Sequence, residues 1–110
     1  MSSDKKKPAI VWTGLSGKDY KYWISDFNTD REQMPANYVF VKETQGGSYI
    51  PIYIGQANDI SEPFQNHPRW TDIISAGATS VCIHKSSPND RVRKSEESDL
   101  INNYKPLLNG

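Results

Sequence analysis

Glu97 falls on an apolar helical stripe, with Ile101 and Tyr104 at i+4 and i+7. An acid in that position needs a partner. Two are open: a metal ion, or Arg93 one turn earlier at i−4. Glu96 points about a quarter turn away and reads as solvent-facing. Tyr38 and Tyr53 stand on two strand-like runs that place them opposite each other across a hairpin. They are either ordinary cross-strand aromatics or part of a site. His67 and His84 are the only histidines, too far apart in the chain to give a metal-ligand spacing. Histidine can move protons near neutral pH. His84, on the polar side of an alternating strand, reads as structural.

The elements that must position these groups follow from local pattern. Ile10–Thr13 and Tyr20–Ile24 flank the turn signal Gly14-Leu15-Ser16-Gly17, and Tyr20, Tyr22 and Ile24 alternate with Lys21 and Trp23. That predicts an N-terminal β-hairpin over 9–25. The polar stretch from Asp26 to Pro35 reads as a loop. Tyr38–Lys42 and Tyr49–Gly55 predict a central hairpin across Gly46-Gly47, with Pro51 pointing to an edge or a first residue. Ser61 could cap a short helix from Glu62 to about Asn66. Pro68, then Trp70, Ile73 and Ile74, then Gly77, predicts a second helix with a glycine stop. Thr79–Lys85 alternates as a half-buried strand, with Val81 and Ile83 on one face and Ser80, Cys82 and His84 on the other. Asn89 or Asp90 caps a last helix to about Tyr104, ended by Pro106. The expected fold is α+β: a small antiparallel-rich sheet flanked by helices, made of the central hairpin, one later strand and the N-terminal hairpin.

The chain has 110 residues, enough for one domain over 9–110. Residues 1–8 hold three lysines and no apolar run, and are expected to be a disordered, solvated tail. Mean hydropathy is −0.72, so the core is small and its rings must carry much of it. Thirteen basic residues balance thirteen acidic ones. A tight nucleic-acid binder is usually basic overall, so any phosphate-binding face must be local. One cysteine, Cys82, excludes an internal disulfide and a cysteine-rich zinc site. No apolar run is long enough for a membrane span. A cytoplasmic location and no membrane partner are expected.

Three segments in order resemble the GIY-YIG nuclease family. Ala36-Asn37-Tyr38 stands at the first half of the motif and keeps its tyrosine. Tyr53-Ile54-Gly55-Gln56 matches the second half. Glu97 to Ile101, then Tyr104 to Asn109, is similar to the family's closing helix and tail, and His67 follows Gly55 by twelve residues (67 − 55). The resemblance covers about Ala36 to Asn109. It implies a GIY-YIG-like fold and a divalent-metal-dependent endonuclease acting on nucleic acid, with DNA as the expected partner. It implies that Tyr38 and Tyr53 are active-site tyrosines, that His67 assists proton transfer, and that Glu97 binds Mg2+ or Mn2+ weakly. A single carboxylate suffices because magnesium keeps several waters and borrows phosphate ligands.

The chain departs from the family at Pro63, eight residues after Gly55, where the resemblance expects the phosphate-neutralising arginine. Arg93, one turn before Glu97, is the expected stand-in. Arg69 is assigned to a different helical face, and Arg91 and Lys94 to solvent. Three readings follow. The chain is a divergent nuclease slowed by the missing arginine, a catalytically degenerate module that binds nucleic acid or protein, or a purely structural interaction domain. In the second reading, Trp and Tyr rings with Lys18, Lys21 and Lys42 would supply stacking and phosphate contacts.

Overall fold

A computed structural model describes residues 9–109, so the expectation for the tail at 1–8 lies outside the described residues. Five strands form one sheet: β1 (Ala9–Thr13), β2 (Asp19–Ser25), β3 (Ala36–Glu43), β4 (Tyr49–Ala57) and β5 (Ser80–Lys85). Their order is β1-β2-β5-β3-β4 and every pairing is antiparallel. Helix α1 (Trp70–Ser75) and helix α2 (Asp90–Tyr104) complete an α+β fold. Among the described residues, no helix is long and apolar enough to cross a membrane.

β5 joins the two hairpins, pairing with β2 on one side and β3 on the other. The alternation of its residues predicts burial on one face only. Instead both faces are covered, and Cys82 is fully buried on the face expected to be polar. Central strands are buried twice because each face carries its own core. On one face, Trp12, Tyr20, Tyr22, Val39, Val41, Ile54 and Cys82 pack with Leu100 of α2. On the other, Tyr38, Phe40, Ile52 and Val81 pack with Ile60, Phe64 and Ile73 of the α1 side. A fully buried ring such as Phe40 contributes roughly 2 kcal/mol relative to an exposed one.

The segment after β4 departs from expectation. In place of a helix from Glu62 capped by Ser61, there is a single 3-10 turn, Phe64–Asn66, entered from Pro63 with no side-chain cap. The Ser61 hydroxyl bonds Asp59 Oδ1 at 2.6 Å, so it is spent on a local turn before the helix could begin. Arg31 holds this segment: its guanidinium donates to the carbonyls of Ile60 and Glu62 and stacks 4.1 Å from the Phe64 ring.

α2 begins and ends as its residues dictate. Asn89 caps it through Arg91 N–H. Lys105 closes it in the left-handed region at φ 46, immediately before Pro106. The tail then turns over the outer edge of β4. There the Asn109 amide accepts from Ile54 N–H at 2.8 Å and donates to Ile54 C=O at 2.9 Å, taking the place of a neighbouring strand. Pro51 lies on this same edge strand, as its missing N–H requires.

Candidate active site

The register of the β3–β4 hairpin sets the two tyrosines diagonally, not opposite. Tyr38 pairs with Gly55, and Tyr53 pairs with Phe40. A β-bulge between Phe40 and Val41 puts Ile52 and Tyr53 on the same side of β4, toward the α1 face. The two phenol rings stack at 6.4 Å. Gly55 leaves room for Tyr38: a Cβ there would stand 2.5 Å from its hydroxyl. The Tyr38 hydroxyl shares a 2.8 Å hydrogen bond with His67 Nε2, and the Tyr53 ring meets the His67 ring edge-on at 5.2 Å.

Arg69 belongs to this group as well. It is the N-cap of α1, with φ −103 and ψ 14, not a residue on a helical face. Its side chain therefore turns back, with the guanidinium 5.9 Å from the Tyr53 ring centroid. Nε binds Asp72 at 3.0 Å and Nη1 binds the Leu108 carbonyl at 3.1 Å, which leaves Nη2 uncommitted among the described residues. The helix starts at Trp70, later than Pro68 predicts, and this takes Arg69 off any helical face. The adjacent His67-Pro68 turn was the signal that could have found this arginine.

Glu97 lies on α2, which packs against the other face of the sheet, and its link to this group is the effect of its charge on the two phenols. Arg93 bonds Gln56 and Asn58 at the end of β4, and Leu100 packs with Ile54, so Glu97 is level with Gly55 along the strand. It is half-buried, and among the described residues no hydrogen bond or ion pair reaches it. Burial raises its pKa, opposed by Lys94 and reinforced by Asp90. Its charge acts on both phenols. Tyr38 is held well above the usual phenol value by burial, then by Tyr53 and Glu97; Tyr53 is raised by burial and Glu97, with Arg69 opposing. His67 is held below its usual value by burial and then by Arg69.

Arg93 does not serve this group. It is 2% exposed and donates to Gln56 Oε1 and the Ser87 carbonyl, each at 2.9 Å, and to Asn58 and Asp90. Four of its five N–H groups are spent inside the protein, so it neither pairs with Glu97 nor offers a charge to a ligand. Glu96 is not solvent-facing. It accepts from Ser86 Oγ at 2.6 Å and Asn37 Nδ2 at 3.3 Å, and lies 3.9 Å from His84 Nε2. His84 stacks on Tyr22 at 5.0 Å and binds the Lys21 carbonyl at 2.7 Å, a structural placement on the α2 face.

A pocket of about 150 Å3 opens beside Tyr38, lined by Tyr38, His67, Pro63, Phe64, Asp59 and Glu62 among others. Among the described residues, no three of His, Cys, Asp and Glu stand together as a metal cage. Glu97, with a carboxylate that no donor satisfies among the described residues, fits a weakly held, mostly hydrated divalent ion. Chemically, the cluster offers a phenol with a fixed imidazole contact, a free carboxylate and a partly free guanidinium. No protein-family model, curated protein or solved structure matches this chain.

Proposed function

We propose that Tyr38, Tyr53, His67 and Glu97 form a phosphodiester-hydrolysing site of GIY-YIG type, acting on DNA with Mg2+ or Mn2+ and slowed by proline at position 63. The observation that carries this reading is the shared pocket. Pro63 lines it together with Tyr38 and His67, so the residue that differs from the resemblance stands beside the residues that agree with it. Tyr38 removes the proton of the attacking water. Glu97 would hold the divalent ion, which lowers the pKa of water and draws charge from the phosphate. Arg69, beside the Tyr53 ring and with Nη2 uncommitted among the described residues, would meet the substrate phosphate as a partial replacement for the missing arginine. The test is nicking of supercoiled plasmid with and without Mg2+ or Mn2+ by the wild type, Tyr38→Phe and Glu97→Gln. Metal-dependent nicking that either substitution abolishes supports the reading.

A second reading, a binding module on a decayed site, is favoured by two features. Asp59 and Glu62 line the same pocket and repel phosphate. On the N-terminal hairpin, Lys18 lies 5.5 Å from the Tyr20 ring and Lys21 lies 5.3 Å from the exposed Trp23 ring, pairing cations with aromatics. A neutral chain with so local a patch binds DNA weakly, and its affinity falls steeply as salt rises. Fluorescence anisotropy across a salt series checks this. Salt-independent binding contradicts it.

A further inference from the structure

The hydrogen bonds around His67 fix where its proton sits. Nδ1 is 2.9 Å from the backbone N–H of Arg69. A backbone N–H only donates, so Nδ1 must present its lone pair. A neutral imidazole carries one proton, and here that proton is left to Nε2. Nε2 is the atom 2.8 Å from the Tyr38 hydroxyl. His67 is therefore the donor in that contact and the Tyr38 oxygen is the acceptor. The Tyr38 proton is then free to turn into the pocket that both residues line. Pro68 stiffens the turn that carries the Arg69 N–H back to the ring.

We infer that His67 is a positioning residue that donates a hydrogen bond to Tyr38 and stabilises its phenolate, and is not the base that takes the Tyr38 proton. This rests on the hydrolase reading above. The proton balance is simple. Tyr38 loses its proton to solvent through the pocket, and the phenolate takes a proton from the attacking water. The resulting hydroxide forms the new P–O bond. The leaving oxygen departs with the electron pair of the broken P–O bond and is protonated from solvent. His67 gains and loses nothing in the cycle, because its one lone pair is turned to Arg69. Its contribution is to the charged form of Tyr38: a hydrogen bond donated to a phenolate favours ionisation. That matters here because burial, Tyr53 and the Glu97 charge all oppose ionisation of this phenol.

Two measurements on the full chain, free of metal and DNA, test the inference. Long-range 1H–15N NMR of protein with 15N-labelled histidine at neutral pH should report Nε2 of His67 as protonated and Nδ1 as bare. The opposite tautomer overturns the proposal. In the second, 3,5-difluorotyrosine replaces Tyr38, bringing its ionisation into a range the fold survives, and 19F NMR follows it in the wild type, His67→Gln and His67→Ala. The midpoint should rise by about one unit in His67→Ala, on the scale of one lost hydrogen bond. It should stay near the wild type in His67→Gln, which keeps an N–H donor. A midpoint that falls in His67→Ala would mean that His67 accepts from the neutral phenol, and overturns the proposal, as does a midpoint equal in all three proteins. If His67→Ala does not fold, the tautomer and the His67→Gln comparison still decide. A failed plasmid assay would remove the hydrolase reading without altering either readout. A wrong tautomer would remove the role of His67 while leaving cleavage untouched.

Discussion

The two faces of the sheet carry two polar clusters of opposite character. Under α2, Asn37 pairs with His84 on one side and Gln56 on the other, and Tyr22 stacks on His84, so a polar row crosses four strands. Arg93, with four of its five N–H groups engaged, and Glu96, with Oε1 accepting twice, press onto that row. On the α1 face, Tyr38 and His67 share one hydrogen bond, and among the described residues the Tyr53 hydroxyl has no partner; nor has Glu97, which stands on α2. Saturation separates the two. A buried charge with four of its five donors engaged ties α2 to β4 and has little left for a ligand. Half-exposed groups with displaced pKa values and idle atoms beside a pocket are equipped to meet one.

Removing members of each cluster should sharpen that contrast. Arg93→Ala leaves Gln56, Asn58 and the Ser87 carbonyl without their donor, and should cost about 3–5 kcal/mol in urea unfolding. Glu97→Gln, made at the other cluster, should stay within about 0.5 kcal/mol at neutral pH. If the two costs are similar, the distinction between saturated and idle groups fails.

The polar row under α2 holds two exceptions to saturation. The Tyr22 hydroxyl and Asn37 Oδ1 are buried and have no partner among the described residues. Tyr22→Phe removes an unpaired buried hydroxyl at constant shape, and should be neutral or stabilise by about 1 kcal/mol in thermal or urea unfolding. A loss of more than that would show that the hydroxyl is satisfied.

Smaller effects should appear in the pH dependence of stability, with opposite signs at two residues of the candidate site. The folded pKa of His67 lies below its ordinary 6.5, so its contribution is present above 6.5 and lost as pH falls through the folded value. His67→Gln should flatten that part of the acid limb. The folded pKa of Glu97 lies above its ordinary 4.5, so its contribution is present below 4.5 and lost as pH rises through the folded value. Glu97→Gln should therefore gain slightly on the wild type at neutral pH, the difference closing below 4.5. Urea midpoints across pH 4–8 check both signs.

Local pattern made much of this legible. The alternation of Tyr20, Tyr22 and Ile24 marked the buried side of β2, and Asn89 and Pro106 marked the two ends of α2. What local pattern cannot carry is which strands neighbour each other. Placing β5 between β2 and β3 buried Cys82 and set His84 over Tyr22, and neither follows from a six-residue alternation. The same pairing explains Glu96. A quarter turn from the apolar stripe means solvent only if the sheet beneath is apolar there, and the row beneath α2 is polar. Arg93 was legible as a neighbour of Glu97 in sequence, but its partners lie 35 and 37 positions away in β4 and the loop after it. Tyr38, Tyr53 and His67 were found by residue type and order. Their geometry depended on a bulge and on Gly55, which spacing alone does not reveal.

The central claim is that the α1-face cluster is a hydrolytic site lacking one cation, and Pro63→Arg tests it most directly. Pro63 has φ −60 and ψ 135, a conformation open to any residue, and it precedes the 3-10 turn, so the fold should be kept. A preorganised cation on the phosphate oxygens is worth on the order of 3–4 kcal/mol, or several hundredfold in rate. Metal-dependent plasmid nicking by Pro63→Arg should exceed that of the wild type by at least about a hundredfold, and adding Tyr38→Phe should abolish the gain. A folded Pro63→Arg protein that nicks no faster than the wild type, with Mg2+ or Mn2+ present, would contradict the account.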